Sequence, residues 1–410
     1  MTAFFNRLRA LGPGILLTGT AVGAGDLLTA SLAGSEAGLA VLWAVPAGIV
    51  MKWTISEAIA RWQMATGETL LEGWVLHLGP WIRWIFLPYL LLFALVVGGA
   101  LTSACGVAGT GFYQIGEPAQ SKAIWGIAHS LVGLAIAWIG SLALLEAAMT
   151  FCVVLMFVSV VLTALLLPAD WASVARGLVP SLAPGNARWV LALLGGIGGT
   201  MTLLSYGYWI REEGREGREG LSLCRADLAV SYLGTAMFGM AVVIIGSRIT
   251  LTGQGTDLAL AMAGQLERAI GPAGRWIFLL GFWGTVFSSV LGVWQSLPWI
   301  FVDFLALRSG RKSHTSHDNR SRPYRAFLLL LATVPLVLLA TPLRQIQLAF
   351  GILGALFLPL LTITLLLLLN RAPSGGFRNR GLSNAILVLA LVFFGWMGIQ
   401  EIRDLIAPAV

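Results

Sequence analysis

One carboxylate stands in the middle of a long apolar stretch. Leu11 to Gly38 reads LGPGILLTGTAVGAGDLLTASLAGSEAG, and its centre is Gly23-Ala24-Gly25-Asp26. An ionised aspartate in hydrocarbon is costly, so Asp26 must face protein or water. Glycine weakens a helix. Together these residues predict a broken helix whose unpaired backbone groups line a mid-membrane cavity, as many secondary transporters build an ion site. The alternative is a tight packing contact in which Asp26 only caps the half-helix that follows. A second stretch repeats the pattern. Leu191 to Gly214 reads LALLGGIGGTMTLLSYGYWIREEG, with Gly195, Gly196, Gly198 and Gly199 followed by Thr200, Thr202, Ser205 and Tyr206. A broken helix offers amides at one half-helix end, which favour an anion, and carbonyls at the other, which favour a cation. The hydroxyls can donate to a small oxyanion. The substrate-binding candidates are therefore Gly23, Ala24, Gly25, Asp26, Gly199, Thr200, Thr202, Ser205 and Tyr206.

Other chemistry-bearing residues are fewer. Lys52, Glu57 and Arg61 lie in the second apolar stretch. Glu57 and Arg61 are four apart and can pair on one helix face, with a gating or proton-path role as the functional reading. Lys52 pairs less well with Glu57 at five apart, and such residues near a helix end can snorkel. Asp303 lies toward the end of the eighth span and is expected at the interface. His314 and His317 sit in a basic, Ser-rich loop and are expected to face solvent. Cys105, Cys152 and Cys224 have no metal-ligand spacing and suggest no disulfide framework. No P-loop, nucleophile elbow, HExxH motif or dinucleotide fingerprint occurs, so an ATP-driven pump or an enzyme is not expected. No cofactor or transition-metal site is expected.

These residues need membrane helices to position them. The chain has 410 residues, 57% hydrophobic and 11% charged, and a mean hydropathy of +0.84. Soluble domains carry about a quarter charged residues. Eleven apolar runs fall near 12–36, 39–62, 84–112, 122–143, 145–167, 189–211, 227–248, 275–306, 324–341, 346–369 and 383–400, which makes an all-α polytopic membrane protein. The two glycine-broken stretches are the first and sixth spans, five positions apart. That fits an inverted repeat: a lead-in 1–11, a first five-helix repeat 12–167, a loop 168–188, a second repeat 189–369 with a basic loop 307–325, and a final span and tail 370–410. The +7 charge concentrates in a few loops and is an orientation signal rather than a nucleic-acid one. Arg7 and Arg9, the 307–325 loop, and Arg371, Arg378 and Arg380 share one side, which places the N-terminus in the cytoplasm and the C-terminus outside. REEGREGREG (211–220) reads as a solvated connector.

The chain resembles the natural-resistance-associated macrophage protein (Nramp) metal transporters. Gly12-Pro13-Gly14 matches the GPG opening of that family's first helix. Leu42-Trp43, Glu57, Arg61 and Thr66-Gly67 are similar to its "LLW…AAR…TG" pattern. Gly198 to Thr200 resembles the "GAT" entering the sixth helix, and Ser288-Ser289 the "QSS" of the eighth. The resemblance implies a LeuT-type 5+5 inverted repeat, alternating access and import that is usually proton-coupled. The departures fall on the chemistry. The family's DPGN aligns with Gly23-Ala24-Gly25-Asp26, its MPHN with Thr202 to Ser205, and a Gln of its tenth helix with Gly351. The soft thioether that favours transition metals is gone, and Met201 is one residue, about 100° of helix, out of register. LeuT-type folds also imply a sodium site, with Ser288 and Ser289 facing carbonyls near Thr20 and Gly23. The expectation is a secondary-active transporter of a small inorganic anion such as bicarbonate, coupled to Na+ or H+, in the cell (inner) membrane. The rivals are a divalent-metal (Mg2+ or Mn2+) transporter with a rebuilt site and a non-transporting sensor on a transporter scaffold. The oligomeric state is left open.

Overall fold

The computed structural model describes residues 25–79, 81–139, 143–167, 170–182, 185–249, 258–309, 319–371 and 376–406. All regular structure among them is helical. A single π turn, Gly25–Thr29, leads into α1 (Ala30–Ala37), and α2 (Ala44–Thr66) follows after a bend of 107°. A short α3 (Leu70–His77) starts at Thr69, whose hydroxyl and the Glu72 carboxylate each accept the other residue's backbone N–H, a capping box. Then come α4 (Trp81–Phe112), α5 (Pro118–Ile139) and α6 (Ala143–Leu166). After the short α7 (Trp171–Gly177), the sixth span is split into α8 (Ala187–Gly196) and α9 (Thr202–Glu212). The chain continues with α10 (Gly217–Gly246), α11 (Leu258–Ile270), α12 (Pro272–Arg308) and α13 (Arg322–Thr333). A 3-10 segment (Val334–Ala340), α14 (Leu343–Arg371) and α15 (Gly381–Ile406) complete it.

Seven of these elements are on their own long and apolar enough to cross a membrane. The other expected spans fail that test for local reasons. The sixth is interrupted, the second carries Lys52, Glu57 and Arg61, the first begins among residues outside those described, and the fifth passes beside them. The long apolar runs expected at 84–112 and 275–306 become helices of 32 and 37 residues.

Packing follows the repeat. One bundle is α1, α2, α8, α9 and α10; a second is α4, α5, α12 and α13 with its 3-10 extension. The fifth span, α6, packs on α12 and α10, while the tenth, α14, packs on α4 and α2. Those are matching partners when spans 1–5 are laid on spans 6–10. The eleventh helix, α15, lies outside this symmetry against α14 and α2. Small residues bring helices together. A Cβ on Gly195 would stand 1.9 Å from Gly351 O, and one on Gly351 2.5 Å from Ala192 O, so α8 and α14 touch backbone to backbone.

The connector REEGREGREG is mostly exposed, as expected, with Arg215 and Gly220 buried. Only Glu213–Glu216 separates α9 from α10. Arg211 pairs with Glu72, and Arg215 is buried against Asp227 at 3.1 Å. Asp303, five residues from the end of α12, is also buried and accepts a hydrogen bond from the Tyr208 hydroxyl. These acids find partners inside the protein.

Candidate functional site

The break in the sixth span is made by backbone that only glycine adopts freely. Gly198 and Gly199 have φ of +73° and +79°, a left-handed conformation that crowds any Cβ. α8 therefore ends at Gly196 and leaves its last carbonyls without helical partners. Side chains from two other elements meet these ends. The Gly198 N–H donates to Asp26 Oδ1 at 2.9 Å. The Lys52 ammonium, wholly buried, donates to Gly195 O at 2.9 Å and also to Ile197 O. Asp26 lies near enough to Lys52 to act on its charge. The same face of α2 carries Ser56, whose hydroxyl bonds the Tyr232 hydroxyl of α10 at 2.8 Å. Tyr232 borders the break, with Cε1 at 3.1 Å from where a Gly198 Cβ would lie.

Asp26 reaches across to the break in the sixth span, while Thr29 precedes α1 with no side-chain cap; the break expected in the first span lies outside the described residues. Thr29 lies against Gly196, and its buried hydroxyl has no hydrogen-bond partner among the described residues. Lys52 does not snorkel. It stands near the middle of α2, where the sequence reading had placed it with a helix-end charge pair. A lysine flanked on both sides by apolar residues, well inside a span, was the available signal. Ser56 and Tyr232 carried none, being a common hydroxyl and a lone aromatic.

The remaining candidates separate. Thr20, Gly23 and Ala24 lie outside the described residues, as do His314 and His317 and the side chain of Thr202. Gly25 opens the π turn that carries Asp26. Thr200 is buried, with its methyl beside Gly354. Ser205 is buried, and its hydroxyl has no partner among the described residues. Tyr206 faces Cys224, Asp227 and Arg215. Ser288 and Ser289 both donate to Thr285 O of their own helix, the usual behaviour of serine in apolar surroundings. Gly351 is spent on the backbone contact with α8. Glu57 and Arg61 pair at 2.7 Å, and Arg225 holds the other Glu57 oxygen at 2.7 and 2.9 Å. Arg61 also donates to Phe377 O, Asn379 Oδ1 and Ser383 Oγ. No group of three or more His, Cys, Asp or Glu that could hold a metal occurs among the described residues.

Chemically, the carbonyl end of the break is already neutralised by a resident ammonium. A metal ion there would meet one carboxylate, a positive charge, and carbonyls that are already engaged. Divalent cations need several free oxygen ligands.

A family model described as natural resistance-associated macrophage protein-like matches residues 14–402. An uncharacterised protein of Pasteurella multocida is 23% identical over 321 residues, 75% of this chain and 68% of that protein. A mutant of the Eremococcus coleocola manganese transporter superposes with a TM-score of 0.75 at 14% identity, covering 99% of this chain and 89% of that one. Mhp1 in its inward-facing conformation gives 0.57 at 14% identity, covering 95% and 90%. MhsT in complex with L-phenylalanine gives 0.56 at 17%, covering 95% and 98%.

Proposed function

The chain belongs to the natural resistance-associated macrophage protein-like family, and from that premise we propose that this secondary-active transporter carries a small inorganic anion, with bicarbonate as the cargo, coupled to Na+ or H+. What supports this reading is the Lys52 ammonium bonded to Gly195 O and Ile197 O. It removes carbonyl ligands from any cation and balances Asp26, so that an anion approaching the α9 amide end meets no net negative charge. The manganese that the Eremococcus protein's name gives as its cargo would need ligands that the break no longer has free. The protein works in the cell (inner) membrane with the N-terminus in the cytoplasm and the C-terminus outside.

Purified protein in tight liposomes tests this at alkaline pH, where bicarbonate exceeds dissolved CO2. Labelled bicarbonate should accumulate under an inward Na+ or H+ gradient, and Mn2+ and Mg2+ should not enter. Mn2+ or Mg2+ entry without bicarbonate uptake would overturn the cargo. Binding of bicarbonate with no flux under any gradient would make the protein a sensor.

A further inference from the structure

The acceptors around the Lys52 ammonium form a cation site in everything but its occupant. Gly195 O accepts at 2.9 Å, Ile197 O accepts alongside it, and the Asp26 carboxylate acts on the same charge. The two carbonyls are the C-terminal end of α8, where the helix dipole is negative. They converge because the chain turns through the left-handed Gly198 and Gly199. Asp26 is fixed by the Gly198 N–H. We propose that Lys52 is a tethered cation filling a monovalent-cation site made by Gly195 O, Ile197 O and Asp26, and that removing its charge opens that site to a free alkali ion.

The charge count selects the class of ion. One carboxylate and two neutral carbonyls balance a single positive charge. A divalent ion in the same buried place would leave a surplus charge with too few oxygens to replace its water. The ammonium is compact and can be replaced by a small hydrated or partly dehydrated ion of the same charge. Being covalently attached, it cannot cross the membrane. Wild-type protein therefore carries no alkali ion at this position, and any sodium coupling has to use another place, such as Ser288 and Ser289. The proposal rests on the break's geometry and not on the identity of the cargo.

Thermal unfolding of the full chain in detergent, followed by tryptophan fluorescence, tests it without a flux assay. Wild type, Lys52→Arg and Lys52→Met are compared in NaCl, choline chloride and MgCl2 at equal ionic strength. Lys52→Met should unfold earlier than wild type in choline and gain roughly 3 °C or more from Na+ beyond any wild-type response. Lys52→Arg keeps the charge and should show no Na+ gain beyond the wild-type response, whatever its unfolding midpoint. Adding Asp26→Asn to Lys52→Met should abolish the extra gain. Equal Na+ responses in wild type and Lys52→Met, or a response of Lys52→Met to Mg2+ but not to Na+, would overturn the proposal. If Lys52→Met is too unstable to study in choline, preparing it throughout in NaCl decides the matter. Monodisperse protein obtained only with Na+ supports the site, and aggregation in both salts counts against it.

Discussion

At Gly198 the chain needs a conformation that other residues resist, and the space beside it is already taken by Tyr232. Gly198→Ala should cost about 1–2 kcal/mol from backbone strain alone. A lowered unfolding midpoint with unchanged helical content would check it. Asp26→Asn keeps an oxygen for the Gly198 N–H but leaves the Lys52 ammonium facing no opposite charge. Removing one partner of a buried charge pair costs about 3–5 kcal/mol, so this conservative change should lower the midpoint more than Gly198→Ala does. The same comparison in detergent measures both. Asp26 was readable in the sequence because a carboxylate in an apolar run is anomalous whatever surrounds it. The use made of Lys52 was not. Its target carbonyls lie 143 and 145 residues away, and a backbone oxygen leaves no mark in a sequence.

Between helices, close approach decides what is tolerated. Gly195→Ala would drive a methyl into Gly351 O at 1.9 Å, a backbone atom that cannot turn aside. It should therefore separate α8 from α14 and cost 3 kcal/mol or more, roughly the upper end for overpacking. A Cβ on Gly234 of α10 meets nothing within 4 Å, so Gly234→Ala should be neutral or gain up to about 1 kcal/mol of helix propensity. The two unfolding midpoints, measured side by side, separate packing from propensity. Helix existence and the sixth-span break were legible because apolar length and clustered glycines are local signals. In the connector after α9 most residues are exposed, as its composition says, and Arg215 is the buried exception. Arg215 is buried only because Asp227, three turns into the next helix, comes back to meet it.

Across the whole molecule, one set of ion pairs gathers where α2 ends and α3 begins. Arg61 and Arg225 share Glu57 and so join α10 to α2, Arg211 joins α9 to α3 through Glu72, and Tyr208 with Asp303 ties α9 to α12. Arg308 and Arg371 end α12 and α14, and Arg378 and Arg380 lie in the short stretch before α15. The proposed orientation predicts that an impermeant thiol reagent labels a cysteine appended at the C-terminus of intact cells and spares one appended at the N-terminus. Cys105 and Cys224 are buried and should add little background. The fold's symmetry could be read from two glycine-rich apolar stretches five spans apart. The eleventh helix could not be docked in that way, since its contacts obey no repeat.

Arg61 bonds to Phe377, Asn379 and Ser383, more than 300 residues later in the chain. During synthesis, its guanidinium therefore enters the bilayer long before those partners leave the ribosome. A nascent chain halted after the tenth span would keep a half-finished charge cluster that other membrane components could recognise. Closure of this cluster therefore waits until residues 377–383 have been made.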